Sequence, residues 1–200
     1  MSHHYFLIYK PFNVLSQFTK EVEEHRTLAE LGDFPADVYP VGRLDKDSEG
    51  LLLLTNDKPL NHRLLNPTFK HKRTYYAQVE GEPTPKALRR LNQGVDIRVN
   101  KKPYTTLPAQ VRLLTQPPDL PEREPPIRFR KNKPTAWLEL RLHEGKNRQV
   151  RRMCAAVGYP VLRLVRVAIE EVRMEEMIVG KVLELSGVEL YEKLGISSVE

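Results

Sequence analysis

Cysteine is almost absent from this chain: Cys154 is the single example in 200 residues. That excludes an internal disulfide framework and any zinc site built from several cysteines. It fits a reducing compartment without requiring one. Long hydrophobic runs are missing too, since no apolar segment approaches the ~20 residues of a membrane-spanning helix. The opening MSHHYFLIYKPFN lacks the charged, apolar and small-residue order of a secretory signal. Repeats and low-complexity tracts do not occur. The expectation is a soluble, cytoplasmic protein.

Enough apolar residues are present, at 40%, to build a real core at this length. Lys and Arg number 32 against 26 Asp and Glu, a net charge of +6. That excess suits a polyanionic partner but does not identify one.

Local patterns predict the elements. Residues 5–9 read as an aromatic and β-branched strand stopped by KPFN, and 38–41 as a second strand. The run 51–55 is too short for a helix and reads as a strand buried on both faces. In NDKPLNHRLLNP, Asp57 caps a short helix, Pro59 lies in its first turn and Asn66-Pro67 ends it. Residues 74–79 alternate as a strand ended by Gly81. In TPKALRRLNQG, Thr84 caps a helix that Pro85 begins and Gly94 closes. Short strands about the NKKP turn are expected within 95–111. The proline- and charge-rich stretch 116–134 cannot sustain a helix and reads as a long surface loop inside one domain. AWLELRLHEG reads as a half-buried strand, with Leu138, Leu140 and Leu142 on one face and Trp137, Glu139 and Arg141 on the other. KNRQVRRMCAAVGYP predicts a helix from an Asn147 N-cap to a Gly158 C-cap, VLRLVRVAI a strand, and KVLELSGVELYEKLG a strand followed by a terminal turn or helix. Strands and helices without a regular βαβ rhythm predict an α+β fold with a mostly antiparallel sheet.

The stretch GRLDKDSEGLLLLTND, residues 42–57, concentrates acidic groups. Its Asp45-Lys46-Asp47-Ser48-Glu49-Gly50 imitates the start of a calcium loop, but the ninth position is Leu53 and the twelfth is Asn56. Neither supplies the oxygen ligands that close such a site, so the metal reading fails. A two-metal nuclease would need further converging carboxylates.

In the expected third helix, Arg148, Arg151 and Arg152 fall at i, i+3 and i+4 and share a face, with Val150, Cys154 and Val157 opposite. Cys154 therefore reads as core packing. Cations at a helix start oppose the dipole, which makes sense if an anion such as phosphate fills the site. A cationic face paired with protein carboxylates explains the pattern equally well. Arg141, Arg163 and Arg166 add further positive charge to this C-terminal third.

Four stretches occur in order: YKPFNVLSQFT, GRLDKDSEGLLLLTND, KRTYYAQVEG and EGKNRQVRRM. Together they resemble the RsuA/RluB/RluE/RluF branch of the pseudouridine synthases over roughly residues 5–185, and most closely the E-type enzymes of the large ribosomal subunit. The resemblance implies a pseudouridine synthase fold: a central, mostly antiparallel sheet, flanking helices, and two lobes around a catalytic cleft. It implies isomerisation of one uridine in large-subunit (23S) rRNA, without cofactor or metal; nothing in the sequence demands more than a monomer. Residues 1–200 are expected to form one catalytic domain, with no S4 RNA-binding domain before it. By motif position, Asp45 corresponds to the catalytic aspartate, Tyr75 to the aromatic that packs on the target base, and Arg151 to the basic partner of the aspartate. Arg43, Lys146, Arg148, Arg152 and Arg166 are the expected RNA-binding cations. Asp47 and Glu49 shape the loop or orient RNA, and Gly42 and Gly50 permit the turn that presents Asp45. Relatives often have Asn where Tyr9 stands. From its alternation alone, Tyr75 would read as a core residue alongside Ala77 and Val79. An rRNA-binding assembly factor on the same fold, acting without chemistry, is the alternative.

Overall fold

The computed structural model describes residues 3–127, 133–174 and 178–197. Among them the strands are β1 (Tyr5–Lys10), β2 (Val14–Leu15), β3 (Arg26–Thr27), β4 (Tyr39–Pro40), β5 (Glu49–Thr55), β6 (Arg73–Glu80), β7 (Asp96–Val99), β8 (Lys102–Thr105), β9 (Gln110–Leu113), β10 (Thr135–Leu142), β11 (Val161–Ile169), β12 (Val172–Arg173) and β13 (Val182–Glu184). The helices are α1 (Lys58–Leu65), α2 (Pro85–Gln93), α3 (Gln149–Ala156) and α4 (Gly187–Lys193). This is the expected α+β composition. No helix among the described residues is long and apolar enough to cross a membrane. The chain divides into two compact units, Met1–His71 with Arg166–Glu200, and Lys72–Val165.

In the first unit β1 lies between β13 and β5, antiparallel to both, with Tyr9 opposite Leu51. β4 also pairs antiparallel with β5. Every residue of β1 and β5 is buried, as the unbroken leucine run predicts. Tyr9 is therefore a core residue. β5 begins two residues before the predicted strand, so Glu49 and Gly50 belong to it and not to the preceding turn. Gly50 serves the sheet. Its φ is +105°, and a Cβ there would lie 2.3 Å from the Arg166 carbonyl oxygen, well inside contact distance. α1 starts as predicted, with the Asp57 carboxylate accepting from Leu60 N at 3.0 Å. The same carboxylate accepts from Tyr5 OH at 2.8 Å and Tyr191 OH at 2.6 Å, tying β1 and α4 to the start of α1. Burial opposes its ionisation, but these donors hold it below the usual carboxylate range.

In the second unit β10 pairs antiparallel with β6 and β9, with Tyr75 opposite Leu140. α2 follows its signals, from the Thr84 cap to Gly94. The predicted NKKP turn joins β7 to β8, with Asn100 and Lys101 both at positive φ, as a tight two-residue hairpin requires. The core gathers Ala77 and Val79 of β6, Leu91 of α2, Leu138, Leu140 and Leu142 of β10, and Val150, Met153 and Cys154 of α3. The polar face expected for β10 is only partly solvated. Glu139 is 5% exposed, held by Arg112 at 2.8 Å and Arg141 at 2.9 Å. Burial would raise its carboxyl, and the two guanidinium groups bring it below the usual range. The loop 116–134 carries neither strand nor helix over its described part, and Arg163 donates to the Pro121 carbonyl at 2.8 Å. Residues 128–132 lie outside the described residues.

Cys154 is fully buried, and burial pushes its thiol up to about 12. The native protein is expected to give no reaction with a water-soluble aromatic disulfide reagent at neutral pH, and one titratable thiol after unfolding. Rapid reaction of the folded protein would remove Cys154 from the core.

Candidate active site

Asp45 sits in a turn of the first unit that belongs to neither strand nor helix. Gly42 enters it at φ +69°, where a Cβ would press on the Leu65 side chain at 2.9 Å. Val41 N donates to Leu53 O at 2.8 Å, docking the start of the turn on β5, and Ser48 N closes it on Asp45 O at 3.0 Å. Leu44 is buried beneath, Asp45 is half-buried, and Arg43 points outward with Gln17 Oε1 at 3.5 Å.

A buried group of charges belongs to the same unit. Lys10, Glu49 and Arg166 are 0%, 2% and 4% exposed. Lys10 Nζ donates to Pro11 O at 2.9 Å and Val14 O at 2.6 Å, and Arg166 Nε donates to Leu51 O at 2.8 Å. Burial pushes the Lys10 ammonium down to about 7, against the opposing pull of Glu49, Asp47 and Asp45. This corrects two expectations. Glu49 is a buried strand residue, not a loop group facing RNA. Arg166, expected among the RNA-binding cations, is withdrawn from solvent and spends its Nε on β5. Lys10 is a residue that sequence reasoning misses. The available signal is a lysine at the end of an aromatic and aliphatic run, immediately before Pro11.

The remaining candidates lie in the second unit. Tyr75 is half-buried on β6 and packs against the core cluster that contains α3 residues. The helix predicted from Asn147 begins at Gln149, and Arg148 stands at the N-cap with φ +52° and no capping side chain. The i, i+3, i+4 arginine face therefore does not form, because Arg148 precedes the helix in a left-handed conformation. Gln149 reaches back into the preceding loop, its Oε1 accepting from Lys146 N at 2.9 Å. Arg151 donates to Val161 O at 3.3 Å. Arg152 donates to the Arg98 carbonyl, and to Asn147 Oδ1 at 2.8 Å. Lys146 and Arg148 are exposed, with the Lys146 ammonium over the Tyr104 ring at 4.9 Å.

Glu144, another residue without a signal in the sequence, organises this loop. Its buried carboxylate accepts from Tyr104 OH, from Leu107 N at 2.8 Å and from Gln149 Nε2 at 2.6 Å. The Tyr104 hydrogen bond, with help from burial, pushes that phenol up to about 12. The loop before α3 is thus fixed from within, and leaves Lys146 and Arg148 facing solvent. Exposed Arg43, Lys146 and Arg148 have the chemistry to meet phosphates.

A family model described as RNA pseudouridylate synthase matches residues 4–156. The ribosomal large subunit pseudouridine synthase E of Xanthomonas axonopodis pv. citri is 55% identical over 172 residues, covering 86% of this chain and 88% of the relative. The protein of the same name from Vibrio vulnificus is 47% identical over 178 residues, covering 88% of this chain and 73% of that one. A crystal structure of a pseudouridylate synthase superposes with a TM-score of 0.77 at 27% identity, over 96% of this chain and 74% of that one.

Proposed function

Because the chain belongs to the RNA pseudouridylate synthase family, we propose that it isomerises one uridine of large-subunit ribosomal RNA to pseudouridine. The observation that carries the substrate is the 55% identity, over most of both chains, to a relative named for the ribosomal large subunit. The chemistry rests on the family match across residues 4–156, which include Asp45, Tyr75 and Arg151.

The reaction breaks the C1′–N1 bond, turns the base, joins C1′ to C5, moves the C5 proton to solvent and returns a proton to N1. Asp45 is the acting carboxylate, as nucleophile at C1′ or at C6, or as base at C2′ on a glycal route. All three routes require it ionised. Arg151 is its cationic partner, an assignment that suits a group which stays charged when half-buried. The uridine must leave its stack to be reached, and Tyr75 then packs on the extruded base. Arg43, Lys146, Arg148 and Arg152 meet the backbone phosphates. Burial of Arg166 supports a role behind the site and not on RNA.

The test is to incubate the purified protein with protein-free and partly assembled large-subunit RNA and map pseudouridines, alongside rRNA from cells with and without the protein. One new pseudouridine in vitro, missing from the depleted cells, is expected. Its absence in every RNA preparation would overturn the proposal.

A further inference from the structure

We propose that Ser16 is a positioning residue for Asp45. The inference rests on the catalytic assignment of Asp45 proposed above. The turn around Asp45 belongs to no ladder, so its buried backbone groups need partners from elsewhere. Ser16 satisfies both groups of one residue. Its Oγ accepts from Leu44 N at 3.0 Å and donates to Leu44 O at 2.9 Å. Ser16 is 4% exposed and Leu44 6%, so water does not substitute for this pair. On the other side of Asp45, the Lys46 carbonyl accepts from Asn13 N at 2.8 Å.

One short segment, residues 13–16, therefore grips the chain immediately before and after the proposed catalytic aspartate. Lys10 in turn holds that segment, through its bond to Val14 O. With Leu44 and Lys46 held in this way, and the Asp45 carbonyl accepting from Ser48 N at 3.0 Å, the backbone that carries the Asp45 carboxylate is restrained on both sides. Such restraint matters for a group that must meet one atom of a bound nucleotide, because a shift of about 1 Å costs on the order of 100-fold in rate. A serine hydroxyl is suited to the position because it donates and accepts at once. Alanine would leave the Leu44 N–H and C=O buried without partners.

The test uses the full chain and an RNA on which the wild type forms pseudouridine. Ser16→Ala is expected to lower kcat by about 10- to 100-fold, with RNA affinity within about twofold of wild type. The Leu44 amide should lose its protection from hydrogen exchange in the same variant. Ser16→Thr, which keeps the hydroxyl, should recover protection and most of kcat. A folded Ser16→Ala with wild-type kcat would overturn the inference, as would loss of kcat with Leu44 protection intact. Should Ser16→Ala not fold, Ser16→Cys, with a weak donor and acceptor of similar size, gives the same reading, and wild-type kcat there overturns it. Failure of the wild type on every RNA would instead remove the catalytic assignment, and the Leu44 exchange would still report whether Ser16 holds the turn.

Discussion

Asp45→Asn is expected to lower pseudouridine formation by about 1,000-fold or more, with RNA affinity changed by less than about threefold. Asparagine has nearly the shape of aspartate but offers neither a nucleophilic carboxylate nor a base, so it fails on all three chemical routes. Its backbone partners are unaffected, since Ser16 and Asn13 bind Leu44 and Lys46 and not the Asp45 side chain. The variant should therefore fold, and the loss should fall on kcat. Single-turnover conversion at saturating enzyme, read by pseudouridine mapping or nucleoside mass spectrometry, separates chemistry from binding. An Asp45→Asn protein that still converts the wild-type uridine at more than about a tenth of the normal rate would exclude Asp45 as the acting group. Equal loss of RNA affinity and rate would assign it to binding.

The second large effect concerns stability. Gly50→Ala is expected to destabilise the protein by at least about 3 kcal/mol, a sizeable share of the 5–15 kcal/mol typical of folded domains. Two costs combine. The positive φ of +105° is one that side chains other than glycine rarely adopt. The added methyl would also lie inside the contact distance of the Arg166 carbonyl oxygen. Arg166 cannot easily yield, because its Nε is bonded to Leu51 O on the same strand as Gly50. Gly158→Ala is the control: its φ is +95°, but nothing lies within 4 Å of the added carbon. That variant should cost only the conformational strain, about 1–2 kcal/mol. Urea unfolding followed by far-ultraviolet circular dichroism measures both. Equal losses would show that the close approach at Arg166 contributes nothing.

The elements whose signals are local were legible in the chain. Asp57 and Thr84 cap the helices predicted for them, and the leucine run of β5 is buried on both faces. Those signals act within a few residues, where side-chain oxygens reach nearby amides and apolar periodicity chooses a face. The start of α3 was not legible, because Asn147 has the chemistry of a cap. The place went to Arg148 in a left-handed conformation, with no side-chain cap, while Gln149 binds back to Lys146 N in the loop. That choice follows from Glu144, which holds Gln149 while also binding Tyr104 and Leu107 from the segment after β7. Glu139 reads as a solvated residue for a related reason, since its partner Arg112 lies 27 residues away.

By itself the sequence determined the element types, the caps of α1 and α2, the family, and the motif positions Asp45, Tyr75 and Arg151. Local propensity and the order of a few short stretches carry that information without any fold. The tertiary structure decided the state of the charges. It buried Lys10, Glu49 and Arg166 and clamped Leu44 through Ser16. The cost of burying a charge is offset by partners brought together by folding, and Arg166 and Leu51 are 115 residues apart.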